Sequence, residues 1–222
     1  CELESGLIQV ILQDVHDQPG SLPLLQYALM QLWEQRQSHT LRLEDYQRFG
    51  GLTGALEQRA NQIYEAFSPE LQENCRLVFR RLVQPGDGVA DTRRRSKLGE
   101  FDEQSDSQQV IQILTDARLL TTQRQSDSAF VEVSHEALIR GWSLLKKWID
   151  QDREQLRLQH QVSNAAQEWL DHNEEASWLL SGSRLVTAEE WINDGPGNGN
   201  ILERRFIRAG IKQRDTNQQK EQ

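Results

Sequence analysis

The chain has 222 residues, a formal net charge of −9 and 27% charged residues. This length allows one sizeable apolar core or two or three small modules, and the acidic balance disfavours non-specific binding to nucleic acid or anionic membranes. No apolar run is long enough to cross a bilayer, and the two cysteines, Cys1 and Cys75, indicate neither a disulfide framework nor a zinc site. We therefore expect a cytoplasmic protein and, since the first residue is not methionine, a piece of a longer one.

The first third of the sequence predicts a small helical bundle. Apolar residues at helical spacing predict one helix over residues 3 to 15 and a second, strongly apolar helix that begins at Pro23. A short amphipathic piece at residues 43 to 49 and a helix over residues 53 to 67 follow. We assign residues 1–67 to a small helical domain.

The middle of the sequence predicts a winged helix over residues 68–141. Ser68, Pro69 and Glu70 form a helix start with an N-cap, a proline and an acidic first turn. An extended run at residues 92 to 97, a short turn of helix near residues 98 to 101, a helix at 107 to 117 and two strands at 119 to 124 and 129 to 133 follow. A helix, a strand, two helices and a hairpin in this order are typical of that fold.

The remaining sequence is helical again and predicts a second helical domain over residues 142–211. Residues 212–222 lose the apolar stripe, so we expect a polar tail or a linker there. The fold class is therefore mainly α, with a helical bundle, a winged helix with a small β-hairpin, and a second helical domain.

The most informative stretch joins the last predicted strand to the next helix. Residues 130 to 133 alternate as a half-buried strand does, and the apolar spacing becomes helical after Ser134, which is a good N-cap. That cap would place His135 and Glu136 in the first helical turn, where unpaired N–H groups and the positive dipole end favour an anion. Two interpretations stay open, because His135 could donate to an anion or could cap the turn and pack against the strand.

Catalytic motifs are absent from the sequence. There is no G-x-x-x-x-G-K-[ST] phosphate loop, no G-x-S-x-G and no H-E-x-x-H, and the position one helical turn after His135 is Ile139. We therefore assign no catalytic residue and no metal ligand, and we expect this chain not to be a complete enzyme.

The side chains of the predicted winged helix argue against DNA binding. The helix at residues 107 to 117 carries glutamines and Asp116, with only Arg118 after it, so charge that could neutralise phosphates is nearly missing. In the one basic run, strand alternation places Arg93 and Arg95 on one face and Arg94 on the other. We interpret this run first as an interface or solvated face, and second as a phosphate contact.

Four motifs occur in order along the chain. They are S-L-P-L-L-Q-Y-A-L at residues 21 to 29, D-T-R-R-R at 91 to 95, D-A-R-L-L at 116 to 120 and H-E-A-L-I-R-G-W at 135 to 142. In this order they resemble the region that follows the ATPase core in STAND NTPases, and nearly the whole chain is covered. The likeness is strongest to bacterial, especially cyanobacterial, proteins in which a STAND module precedes a WD-repeat propeller.

The resemblance implies specific site residues. Residues 1–67 would end the nucleotide-binding module, and Pro23 would stand where the family's G-x-P proline packs on the bound nucleotide. His135 matches the histidine of the M-H-D type motif that holds the ADP β-phosphate and locks the closed state. Supporting contacts would come from Ser134, Arg140, Arg93 and Arg95.

This sequence departs from the family pattern in three places. Gly20 stands three residues before Pro23 rather than two, Val133 and Ser134 replace the methionine side, and Glu136 replaces the aspartate. Glu136 would repel phosphate unless it is paired, and Arg140 stands one helical turn on.

The resemblance also implies cofactors and partners. In the parent protein we expect ADP or ATP with magnesium, an upstream ATPase core, a downstream WD-repeat propeller and a homo-oligomer on activation, but no specific nucleic acid and no membrane. The chain would be a non-catalytic, nucleotide-sensing segment of a signalling ATPase. The alternatives are a winged-helix DNA-binding regulator and a plain helical adaptor in which Pro23 and His135 are structural.

Overall fold

The computed structural model describes residues 2–17, 22–36, 39–101, 106–125, 128–195 and 198–220, without the side chain of Pro23. Helices make up most of these ranges and the strands are short, which confirms the mainly α prediction with a small β-hairpin. None of the helices in these ranges combines the length and the apolar character needed to cross a lipid bilayer.

The first part of the chain is a set of packed helices with one small parallel pair of strands. Its elements are β1 (Glu2–Leu3), α1 (Leu7–Asp17), α2 (Leu22–Gln35), β2 (Thr40–Leu41), α3 (Leu43–Arg48) and α4 (Gly51–Glu65). The prediction that the first helix begins at residue 3 is wrong, since β1 pairs with β2 and Gly6 adopts a left-handed backbone (φ 89°) before α1 begins. The other predicted helices of this part are confirmed.

The middle part has the element order that predicted a winged helix. Its elements are α5 (Pro69–Leu82), β3 (Val83–Gln84), β4 (Thr92–Arg93), β5 (Ser96–Lys97), a 3-10 helix (Leu98–Glu100), α6 (Ser107–Asp116), β6 (Leu120–Gln125) and β7 (Ser128–Val133). Ser68 caps α5 as predicted, because its Oγ accepts the Leu71 N–H at 3.4 Å. Strands β6 and β7 form the predicted hairpin, and β5 pairs with the other edge of β7.

The last part is helical. It contains α7 (Glu136–Gly141), α8 (Ser143–Asp171), a 3-10 helix (Ala176–Trp178), α9 (Gly182–Asn193) and α10 (Ile201–Lys220). Helix α8 ends before Asn173 and Glu174, which have positive φ angles of 55° and 62°. The stretch predicted as a polar tail or linker is helical through Lys220, and residues 221–222 lie outside the described ranges.

Two apolar cores lie along α8. The first extends from Leu7 to Leu156 and contains the fully buried Trp142, whose ring centroid lies 5.2 Å from that of Phe79 and 5.4 Å from that of Trp148. The second lies between the end of α8, α9 and α10, from Val162 to Ile207. The predicted domain boundaries at residues 67, 141 and 211 stay predictions, and the first core runs across residues 67 and 141 without a break.

A buried ion pair joins the middle part to the last helix. The Arg81 guanidinium on α5 donates to both oxygens of Glu203 on α10, at 2.9 and 3.0 Å. Ser163 on α8 donates a further hydrogen bond to the same carboxylate, and the Asn200 N–H donates to it at 2.6 Å. Because every charge in this group is hydrogen-bonded, the pair can be buried at this position.

Candidate functional site

His135 lies at the junction between β7 and α7. Its backbone is extended (φ −137°, ψ 128°) and it is the N-cap residue of α7, although its side chain makes no capping hydrogen bond. The prediction that Ser134 is the N-cap is wrong, because Ser134 continues the hairpin. The Ser134 N–H donates to the Leu119 carbonyl at 3.0 Å, and its hydroxyl lies 2.8 Å from that of Thr121.

Because the N-cap of α7 is His135 and not Ser134, the end of this helix attracts an anion less than the sequence predicted. His135 precedes the first turn of α7 instead of lying within it, and α7 has only six residues. The helix end therefore supplies little field of its own, and any attraction for an anion must come from side chains.

The His135 ring is half-buried beside a cation. Burial is the main cause that lowers the pKa of His135 below its usual value, and the positive charge of Arg93 lowers it further. The imidazole is therefore neutral near pH 7 and offers one donor and one acceptor nitrogen. Arg93 on β4 is exposed and makes no ion pair with any residue that the structure describes. The fold thus brings His135 and Arg93 together, as candidates for one anion contact.

The other arginines of the basic run have partners. Arg94 faces inward and donates to the Arg81 carbonyl at 3.1 Å, to Ser96 Oγ at 2.6 Å and to Glu100 at 2.9 Å. The guanidinium carbon of Arg95 lies 4.2 Å from the centroid of the Phe130 ring. The predicted alternation is therefore confirmed, with Arg94 partly buried and Arg93 and Arg95 exposed.

Glu136 is paired as the sequence suggested. Arg140 lies one turn on and donates to the Glu136 carboxylate at 3.3 Å, with both side chains exposed. The pair offsets the negative charge next to His135, and it also occupies the Arg140 guanidinium.

Pro23 is the second residue of α2, and Gly20 lies outside the described residues. The next residue, Leu24, is buried and lines a cavity of about 230 Å³. Leu119, whose carbonyl binds the Ser134 N–H, lines the same cavity. The start of α2 and the chain next to His135 therefore border one crevice, which we call the α2–α6 cavity. His135 itself does not line it.

A comparison with models of protein families shows the family of this chain. The family model described as Novel STAND NTPase 1 matches residues 1–177. The chain belongs to this family. The comparisons with curated proteins and with solved structures give no match. The Novel STAND NTPase 1 match includes α1 to α8 and therefore both Pro23 and His135, while α9 and α10 follow it.

Sequence reasoning missed two features. The α2–α6 cavity contains Arg59 and Arg118, and no motif connects these arginines, because they are brought together by the packing of α4 against the turn after α6. The Arg81–Glu203 pair joins residues 122 positions apart. A charged residue within an apolar helical stripe, as Arg81 is next to Leu82, was the available signal.

Proposed function

We propose that this chain is the non-catalytic regulatory segment of a STAND-type signalling ATPase. In the parent protein, ADP or ATP with magnesium would be bound by an upstream ATPase core, and this chain would sense which nucleotide is present. It would couple that state to conformational switching and to assembly into a homo-oligomer. Residues 68–141 would form the winged helix of this switch, and a WD-repeat propeller would follow downstream.

The observation that carries the proposal is the environment of His135. A neutral, half-buried imidazole lies next to the guanidinium of Arg93, which has no acidic partner in the described part of the chain, and the family of this chain is described as one of NTPases. An imidazole donor in a positive field suits the terminal phosphate of ADP. A bound phosphate would also raise the pKa of His135, because a neighbouring negative charge favours the imidazolium.

The sequence limits what the chain could contribute to nucleotide chemistry. A phosphate loop supplies the N–H cradle and the lysine that hold the phosphates, and this chain has none. We therefore propose that its contacts with nucleotide are peripheral and that hydrolysis belongs to the ATPase core. Alone, the chain would bind nucleotide with millimolar affinity or weaker.

The connections of His135 suggest how a nucleotide contact would reach the rest of the chain. His135 lies between β7 and α7, and α7 packs against α4 of the first helical part. Loss of a phosphate contact at His135 would change the relative stability of two arrangements of α7 on α4. Such a change is a hinge motion of the kind that the proposal requires.

The exposed face of α6 favours this proposal over a DNA-binding regulator. Gln108, Gln109 and Gln112 are exposed there, and Gln112 donates to Asp116 at 2.8 Å. A helix that enters the major groove needs cations to neutralise phosphates, and none of the ten residues of α6 is a cation.

The proposal is tested by His135→Ala in a protein that includes the upstream core. We expect the variant to retain ADP more weakly by about 1.5–3 kcal/mol, the range for a hydrogen bond to a charged group, and to favour the assembled state. ADP content after purification and oligomer size on gel filtration are the two measurements.

A matched control is His172→Ala, which removes an exposed histidine next to the second core. It should change neither measurement. If His135→Ala also leaves ADP content and oligomer size unchanged, His135 does not contact nucleotide and the proposal loses its main support.

A further inference from the structure

The α2–α6 cavity has an apolar floor and a cationic edge. Leu24, Leu56 and Leu119 form the floor, and each is at most 5% exposed. Arg59 of α4 and Arg118, which follows α6, lie on the edge. A concave apolar surface with a few polar groups at its edge is the usual form of a small-molecule site.

Arg118 occupies a backbone conformation that favours glycine. Its φ is 61°, in the left-handed region, at the end of α6. The Leu119 N–H donates to the Leu114 carbonyl and the Arg118 N–H to the Thr115 carbonyl, both at 2.9 Å, which is the Schellman pattern. Glycine is the usual residue at this position, so an arginine there is strained. Strain of this kind points to a use for the side chain.

Neither arginine has an acidic partner among the described residues. The Arg118 guanidinium donates to the Gln26 side-chain oxygen at 3.3 Å, and the Arg59 guanidinium carbon lies 5.7 Å from the centroid of the Tyr27 ring. The one acidic residue of the lining, Asp116, is exposed and accepts a hydrogen bond from Gln112. Two guanidinium groups against one carboxylate leave the cavity with a positive edge.

We propose that the α2–α6 cavity binds a small organic anion. Its apolar or aromatic body would lie on the leucine floor, and its acidic group would bind Arg59 and Arg118. Because α2 and α4 form one wall and the turn from α6 to β6 forms the other, the ligand bridges the first helical part and the hairpin. His135 does not line this site, so the ligand would act apart from a nucleotide contact at His135 and would make the contact between these two parts sensitive to a second molecule.

A pair of fluorescent probes tests the proposal on the present chain. Anilinonaphthalene sulfonate has an aromatic body and an acidic group, and phenyl naphthylamine has the same body without the acid. We expect Arg59→Gln and Arg118→Gly each to weaken binding of the sulfonate by about 10-fold, since each removes a charged hydrogen bond. Binding of phenyl naphthylamine should change by less than about 2-fold, because only the floor contacts it.

Arg124→Gln is the matched control for charge. Arg124 is an exposed arginine on β6 that does not line the cavity, so its loss should leave both probes unchanged. If the sulfonate binds equally well to all variants, or if both probes weaken together, the proposal is wrong.

Thermal stability separates ligand binding from a structural role of Arg118. Because glycine adopts the left-handed backbone freely, Arg118→Gly should raise Tm by about 2–4 °C while it weakens the sulfonate. A fall in Tm with unchanged sulfonate binding would show that Arg118 is purely structural. Excess ADP should not displace the sulfonate, and displacement would assign the cavity to the nucleotide and overturn the proposal.

Discussion

Two contacts hold the middle of the chain, and they differ in kind. On one side, α7 packs against α4 through close apolar contact, where Gly141 adjoins Thr53 and the Trp142 indole N–H donates to Asn61 at 2.7 Å. On the other side, α5 and α8 meet α10 through the buried pair of Arg81 and Glu203. Apolar packing dominates the contact of α7 with α4, and a hydrogen-bonded ion pair dominates the contact with α10.

This difference predicts which of the two contacts rearranges first. Moving α7 on α4 breaks apolar packing and the Trp142–Asn61 hydrogen bond but leaves no buried charge without a partner, so it costs less than separating Arg81 from Glu203. A bidentate buried pair loses its hydrogen bonds as soon as its geometry changes, and each uncompensated charge is then costly. We therefore expect α5 to α10 to move as one unit and the contact of α7 with α4 to change first.

The largest expected effect is on the charged contact. Arg81→Met leaves Glu203 buried without its main partner, which should lower the free energy of unfolding by about 3–5 kcal/mol in urea denaturation. Glu203 already has a lowered pKa despite its burial, because Arg81 stabilises its charge. The double variant Arg81→Met with Glu203→Leu should recover most of the loss, since no charge is then buried.

Arg140→Met is the control for this experiment. Its partner Glu136 is exposed, so the loss should stay below about 1 kcal/mol. An equal loss in Arg81→Met and Arg140→Met would mean that the buried pair does not hold this contact.

A smaller effect is expected at the apolar contact. A methyl group at Gly141 would overlap the methyl group of Thr53, so Gly141→Ala should cost about 1–2 kcal/mol, after the gain in helix propensity is subtracted. Thr53→Ser removes the opposing methyl group and keeps the hydroxyl, so it should restore stability in the double variant. No recovery there would show that α7 and α4 are not in the close contact described.

The smallest expected effect is a pH dependence next to the charged contact. His160 on α8 is 4% exposed, and its pKa is lowered to about 4, mainly by burial and further by the positive charges of Arg94 and Arg81. Between this value and the usual pKa, the unfolded chain binds a proton that the folded chain excludes. Stability should therefore fall as the pH falls.

The pH experiment compares the chain with His160→Phe. For His160 the loss between about pH 7.5 and 5.5 should be roughly 1.3 kcal/mol, and it should be missing from the variant. The measurement is urea denaturation at several pH values. Equal pH dependence in both proteins would mean that His160 titrates normally in the folded state.

Local patterns in the sequence predicted most of the elements. The helical spacing of apolar residues predicted α2 and α8, the Ser68 cap predicted α5, and the spacing of Glu136 and Arg140 predicted their ion pair. All of these depend on residues within a few positions of one another, where helix geometry fixes the distance.

Features that depend on contacts between distant parts of the chain were not predicted. The parallel pairing of β1 with β2 delays the start of α1, and the bond from Ser134 to Leu119 moves the cap to His135. The left-handed backbone of Arg118 is set by the end of α6 and not by its own residue type. For the candidate site, the sequence identified His135 and Arg93, but only the packing of β4 beside α7 brings them together.

Helix α8 has a mechanical consequence because it belongs to both cores. Its 29 residues extend without interruption from Ser143 to Asp171, a length of about 43 Å at 1.5 Å per residue. A rotation of about 10° at its first turn would displace its far end by roughly 7 Å. The helix is thus a lever: if α5 to α10 rotate together with it, a small change in tilt next to Trp142 carries α9 and α10 farther than the spacing between neighbouring β-strands.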